Sequence, residues 1–120
     1  MAIGVYLKVA SANLRSAASA LQSDVSRLRS ETTGIERNVR QQIDDIRRQI
    51  NRNNQESGSV NDSQFKSQKA RENAQLNTAI ADLERDLSRR KNEMQQNITN
   101  LENQAQALNR EAGQLQGMAT

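Results

Sequence analysis

Asn51-Arg-Asn-Asn-Gln-Glu-Ser-Gly-Ser-Val-Asn-Asp62 is the stretch on which the reading of the fold depends. Its Asn, Ser and Gly residues compete with or relax a helical backbone, and Gly58 is able to adopt the positive φ that often ends a helix. A restart follows at once. With Asn61 as N-cap, Gln64 falls where a capping box needs it, and Val60 and Phe65 are spaced for a hydrophobic staple. The stretch predicts a turn over about 54–60, marked by Gly58 and Asn61, between helices of about 4–53 and 61–116.

On either side of this gap the apolar residues recur at steps of three and four, the helical period. Upstream run Leu7, Leu14, Leu21, Val25, Leu28, Ile35, Val39, Ile43, Ile46 and Ile50, with Ser11, Ala18 and Thr32 in phase. Downstream run Phe65, Leu76, Ile80, Leu83, Leu87, Met94, Ile98, Leu101, Leu108 and Leu115, with Lys69, Glu72, Arg90, Ala105 and Ala112 in phase. Residues 1–120 are therefore expected to form one all-α domain, a long antiparallel, coiled-coil-like helical hairpin packed into a larger helical assembly. Folding at the gap pairs Ile50 with Phe65, Val39 with Leu76, Ile35 with Ile80, Leu28 with Leu87 and Leu21 with Met94, each pair of numbers summing to 115. Leu14 then falls opposite Leu101, and Leu7 opposite Leu108.

Two local features qualify the first helix. Thr32-Thr33-Gly34 lowers helix propensity, and Thr33 with Glu36 has capping-box spacing, but the ladder continues through it in phase. One continuous helix is expected. Glu36/Arg40, Asp44/Arg48, Asp62/Lys66 and Asp86/Arg90 are acidic-then-basic at i,i+4, an orientation that supports exposed helix.

Composition narrows the function. Only 34% of the 120 residues are hydrophobic and Tyr6 and Phe65 are the sole aromatics, too little for an ordinary globular core. The absence of proline and the sustained period favour long helices over disorder. With no cysteine and no histidine, disulfides, thiolate metal sites and the commonest general base are all missing. The acidic clusters Asp44-Asp45 and Asp82, Glu84, Asp86 are interleaved with arginines, which points to ion pairing and not to metal binding. No glycine-rich phosphate loop occurs. The expectation is a protein that is not an enzyme and has no catalytic residues, cofactor or metal.

The net charge of +3 raises nucleic acid as a partner, and Arg37, Arg40, Arg47, Arg48 and Arg52 do concentrate before the turn. Glu36, Asp44 and Asp45 interleave with them, and no aromatic platform or docking motif accompanies them. These read as solvated or subunit-contacting side chains. No stretch approaches the length of a transmembrane helix, and the N-terminal segment lacks the basic start of a cleavable signal peptide. A soluble protein is expected, cytoplasmic or exported by a route that reads no such signal.

A two-helix seam as thin as this one leaves folding near balance between apolar burial and ordering cost. Additional burial against a partner is expected. Ile3, Val5, Tyr6 and Val9 crowd several faces of the first turns and are the expected contacts between subunits. The reading is a structural, self-assembling subunit of a homo-oligomer or filament. The alternative is a helical interaction module or secretion adaptor that pairs with another helical protein. In layout the chain resembles the WXG100 proteins of type VII secretion, hairpins that turn at a glycine. Ser57-Gly58-Ser59 occupies the turn without the tryptophan, however, and no Tyr-x-x-x-Asp/Glu tail follows.

Overall fold

The computed structural model describes residues 2–119. Helix α1 spans Ala2–Gly58 and helix α2 spans Ser63–Met118, packed against each other as an all-α hairpin. The connection is shorter than the polar composition implies. Residues 54–58, expected in the turn, continue α1, so that only residues 59–62 lie between the helices.

The caps differ in detail from the expected ones. Gly58 has no positive φ, and α1 is closed instead by Ser59, whose N–H donates to the Glu56 carbonyl at 3.3 Å while its hydroxyl lies within hydrogen-bonding distance of the Gln55 and Glu56 carbonyls. The N-cap of α2 is Asp62 and not Asn61. Its Oδ1 accepts from the Gln64 N–H at 3.0 Å, and its carbonyl accepts the first helical bond, from the Lys66 N–H. An acidic cap binds the unpaired N–H groups and also complements the positive end of the helix dipole. With the cap one residue later, Gln64 no longer stands at the capping-box position.

Through Thr32-Thr33-Gly34, α1 is unbroken. Thr32 Oγ1 donates to its own helix at the Leu28 carbonyl, 2.7 Å away, and lies 3.1 Å from Met94 Sδ across the seam. Glu36 does not cap. It accepts from Arg40 and Lys91 instead.

The hairpin divides into two compact units, one made of residues 1–32 with 92–120 and the other of residues 33–91. In the first unit, termed outer because it holds both ends of the numbering, Ser11, Ala18 and Val25 are buried on α1 at seven-residue spacing, and Ile98, Ala105 and Ala112 are their buried counterparts on α2. Small side chains let two helices approach closely. The distance is short enough for Ser11 Oγ to donate across the seam to the Ala112 backbone carbonyl at 2.8 Å. Ser11, Ala18, Ala105 and Ala112, small residues in phase with the ladders, are thus among the most deeply buried in this unit, with Leu14, Leu21, Leu28, Met94, Leu101 and Leu108 half-buried around them.

The second unit, termed inner because it holds the middle of the numbering, has larger buried residues, Ile43 facing the seam from α1 and Ile80 and Leu87 from α2. Ile35, Val39, Ile50, Phe65 and Leu76 are half-buried. Arg90, placed on the ladder by its phase, is exposed.

The register corrects the expected pairing in both units. Cross-helix bonds join Ser11 to Ala112, Thr32 to Met94 and Asn53 to Asn73, pairs whose numbers sum to 123, 126 and 126. Leu28 belongs to the outer unit, opposite residues near Ile98, and Leu87 belongs to the inner unit, opposite residues near Val39. The offset from 115 to 126 is eleven residues, about three helical turns. A ladder of steps three and four superposes on itself under that shift, so apolar residues still meet apolar residues and the pattern alone does not distinguish the two registers. The short connection and the small-on-small contacts do.

Candidate interaction surface

Ile3, Val5, Tyr6 and Val9 are 54 to 73% exposed, and Met118 at the end of α2 is 69% exposed. All five lie in the outer unit. A Cβ added at Gly4 would meet the Ala119 carbonyl at 3.7 Å, which sets the first turn of α1 beside the last residues of α2. The C-terminal end therefore covers the seam side of the first turns and leaves their outer side bare.

These residues are helical because nothing interrupts them, and they are bare because of where the seam runs. Leu7, Ser11, Leu14 and Ala18 face α2. Tyr6, Val9, Asn13 and Ser16, offset from that line by half a turn, point away and are exposed. The only charged residues among the first twenty are Lys8 and Arg15. Arg15 turns back across the seam, where its Nη2 donates to Gln116 Oε1 at 2.9 Å.

The charge is distributed unevenly. The outer unit has five Lys/Arg and five Asp/Glu, whereas the inner unit has twelve and nine, so the whole surplus of three lies in the inner unit. Most inner cations are paired. Glu36 accepts from Arg40 at 2.7 Å and from Lys91 at 3.4 Å, and these bonds, Arg40 first, hold its carboxyl below the usual range. Arg47 lies 4.0 Å from Asp44 and 3.8 Å from Glu84. A groove lined by Arg40, Asp44, Arg47, Glu84, Ser88 and Lys91 thus presents cations already answered by carboxylates. The acidic trio is spent in the same way, with Asp82 on Arg85, Asp86 on Arg89 and Glu84 on Arg47.

Of the expected i,i+4 pairs, Glu36 with Arg40 forms as drawn. Arg48 pairs with Asp45 and Arg89 with Asp86, both at i,i+3, and the Asp62 carboxylate serves the helix cap. Among the described residues no group of three or more His, Cys, Asp or Glu is placed to hold a metal ion, and no helix is long and apolar enough to cross a membrane.

A second arrangement was not anticipated. Asn53 is fully buried, donating through Nδ2 to Asn73 Oδ1 at 2.9 Å and accepting at Oδ1 from Gln49 at 3.1 Å. Asn73 in turn donates to Asn54 Oδ1 at 3.0 Å. Beside this cluster Lys69, 17% exposed, pairs with Glu56 at 2.9 Å and Glu72 at 3.5 Å and sits 5.3 Å from the centre of the Phe65 ring. Its hydrogen bond to Glu56 raises the pKa of the ammonium. The signal was present in the sequence, since Asn53 continues the ladder from Ile43, Ile46 and Ile50 in phase. The asparagine-rich composition masked it.

Comparison with protein-family models, curated proteins and solved structures finds no match to this chain.

Proposed function

We propose that this chain is a non-enzymatic structural protein, a helical-hairpin subunit that self-associates into a homo-oligomer. The observation that supports the reading is the bare apolar cluster Ile3, Val5, Tyr6 and Val9 on a hairpin with only ten buried residues among those described. The chain exposes 8644 Å² at 13.4 kDa, against about 6,500 Å² for a globular monomer of that mass. Much surface remains for a partner to cover. The unit that bears the cluster carries no net charge, so bringing two copies of it together costs no net repulsion. Filaments or sheaths are the extended form of the same proposal, reached where contacts are heterologous and do not close.

Sedimentation velocity of the purified chain across a hundredfold range of concentration tests this. The expected result is a sedimentation coefficient that rises with concentration together with a melting temperature that rises with it. A 13.4 kDa species with a concentration-independent melt overturns the proposal. A chain that orders only with a stoichiometric helical partner replaces it with the interaction-module reading.

A further inference from the structure

The buried residues of α1 keep a seven-residue rhythm through Ser11, Ala18 and Val25 that then fails, for the next is Ile43, eighteen residues on. The same failure occurs in α2. Its buried residues Ile80 and Leu87 are seven apart, as are Ile98, Ala105 and Ala112, but Leu87 and Ile98 are separated by eleven. Eighteen and eleven each exceed a multiple of seven by four, and an insertion of four locally unwinds a coiled coil. The two insertions are level with each other. Thr32 Oγ1 lies 3.1 Å from Met94 Sδ and Glu36 accepts from Lys91 at 3.4 Å, so residues 26–42 of α1 lie alongside 88–97 of α2, and none of them is buried.

Where the seam is thinnest, the backbone of α1 is also weakest. Gly34 stands midway between Val25 and Ile43, and a glycine inside a helix opens more readily than an alanine. Thr33 before it is β-branched, which lowers helix propensity further. The Thr32 hydroxyl turns back on its own helix to the Leu28 carbonyl at 2.7 Å, where it competes with the helical N–H for that acceptor. Nothing props the glycine from outside, since a Cβ added at Gly34 would meet no neighbour within 4 Å. The division of the hairpin into compact units falls at the same level, after Thr32 on α1 and after Lys91 on α2.

We infer that residues 32–38 of α1 form an opening segment, a length of helix that unwinds and re-forms while the buried positions on either side, Val25 and Ile43, stay packed. Low local stability follows where few buried apolar contacts and weak helix propensity coincide. Neither condition suffices alone. Gly113 is also a helical glycine with open space around it, but it adjoins Ala112, which is fully buried. Opening frees backbone donors and acceptors and the half-buried Ile35 for contact with another chain, without unfolding of the whole hairpin. The device does not depend on self-association, because both sides of the seam belong to one chain.

Hydrogen exchange of the full-length chain, resolved to single amides by mass spectrometry, tests the inference. The amides of residues 34–38 are expected to exchange about tenfold faster or more than those beside Ala18 and Ile43, at a rate that changes little in low urea because a local opening exposes little surface. Gly34→Ala is expected to slow these amides about fivefold. Gly113→Ala strengthens α2 away from the segment and is expected to leave them unchanged. Protection of residues 34–38 equal to that beside Ala18 and Ile43 overturns the inference. So does an equal slowing in the two variants, which means that these amides exchange only when the whole hairpin unfolds. Uniform protection along α1 has the same force whether the chain is monomeric or self-associated, so failure here is separate from failure of the proposed function.

Discussion

Asn53 Nδ2 donates to Asn73 Oδ1 at 2.9 Å across the helix seam, from a side chain with no exposed surface. The bond joins the two helices near the turn, and it is satisfied only in the register whose pair numbers sum to 126. In the register that sums to 115, residue 53 would stand opposite residue 62 and Asn73 opposite residue 42. A buried amide would then be left unpaired, at a cost of about 1–3 kcal/mol. This is the use for which buried polar residues in coiled coils are best attested, the choice of one alignment among several that apolar packing tolerates.

Replacing Asn53 by leucine is therefore expected to leave the helices intact and to loosen their alignment. In an otherwise wild-type chain, Leu28→Cys with Ile98→Cys should oxidise to an intramolecular disulfide and Leu28→Cys with Leu87→Cys should not. Adding Asn53→Leu should raise the yield of the second link relative to the first, as read by peptide mapping of the oxidised chain. An unchanged ratio would show that the turn alone holds the register.

The small residues of the outer unit set a second expectation. Ala18 and Ala105 are almost fully buried, each 1% exposed. Ala105→Leu should force the helices apart and lower stability by about 1–3 kcal/mol in urea unfolding. A neutral result would mean that the seam has room to relax.

Ser11 tests the same contact by chemistry and not by volume. Ser11→Ala keeps the small size but removes the hydrogen bond to the Ala112 carbonyl, and should cost about 1 kcal/mol. Ser11→Val should cost more, since it also adds bulk at a buried position in direct contact with the opposite backbone. Urea midpoints for the three chains order the two effects.

Stability should depend on pH at both extremes. The Glu36 carboxyl is lowered by its hydrogen bonds from Arg40 and Lys91, so its contribution is complete above the ordinary glutamate range near 4.3 and is lost as pH falls through the lowered value. Lys69 is raised by Glu56, so its contribution is complete below the ordinary lysine value near 10.4 and is lost as pH rises through the raised one. Urea midpoints should be flat between these limits. Glu36→Gln should shallow the acid limb and Lys69→Met the alkaline limb.

Tyr6→Lys is expected to abolish concentration-dependent sedimentation without loss of helicity, because its side chain is exposed and makes no contribution to the seam. A fall in helical content at low protein concentration would instead assign Tyr6 to the fold of the monomer.

Much of the hairpin was legible because helical periodicity is a local property. The steps from Leu7 to Ile50 and from Phe65 to Leu115 announce two helices whatever they pack against. The exposed cluster was legible for the complementary reason. Ile3, Val5, Tyr6 and Val9 do not share one face, so a single seam cannot cover them all. Asn53 was misread because its neighbours Asn51 and Asn54 are solvated, and composition averages over a side chain that points inward and two that point out. Gly58 was misread as a left-handed cap because helix continuation through glycine leaves no mark in the sequence.

Taken by itself, the order of residues determined the helical class, the existence of two halves and the surplus of apolar surface at the N-terminal end, all of which follow from spacing along one chain. Only the tertiary structure decided which residues meet. The alignment of two helices is a relation between segments, and a repeat of three and four is nearly indifferent to a slide of eleven residues. What breaks that indifference is a four-residue connection, the fit of small side chains such as Ser11 against Ala112 and one buried amide bond, none of which is expressed until the helices touch.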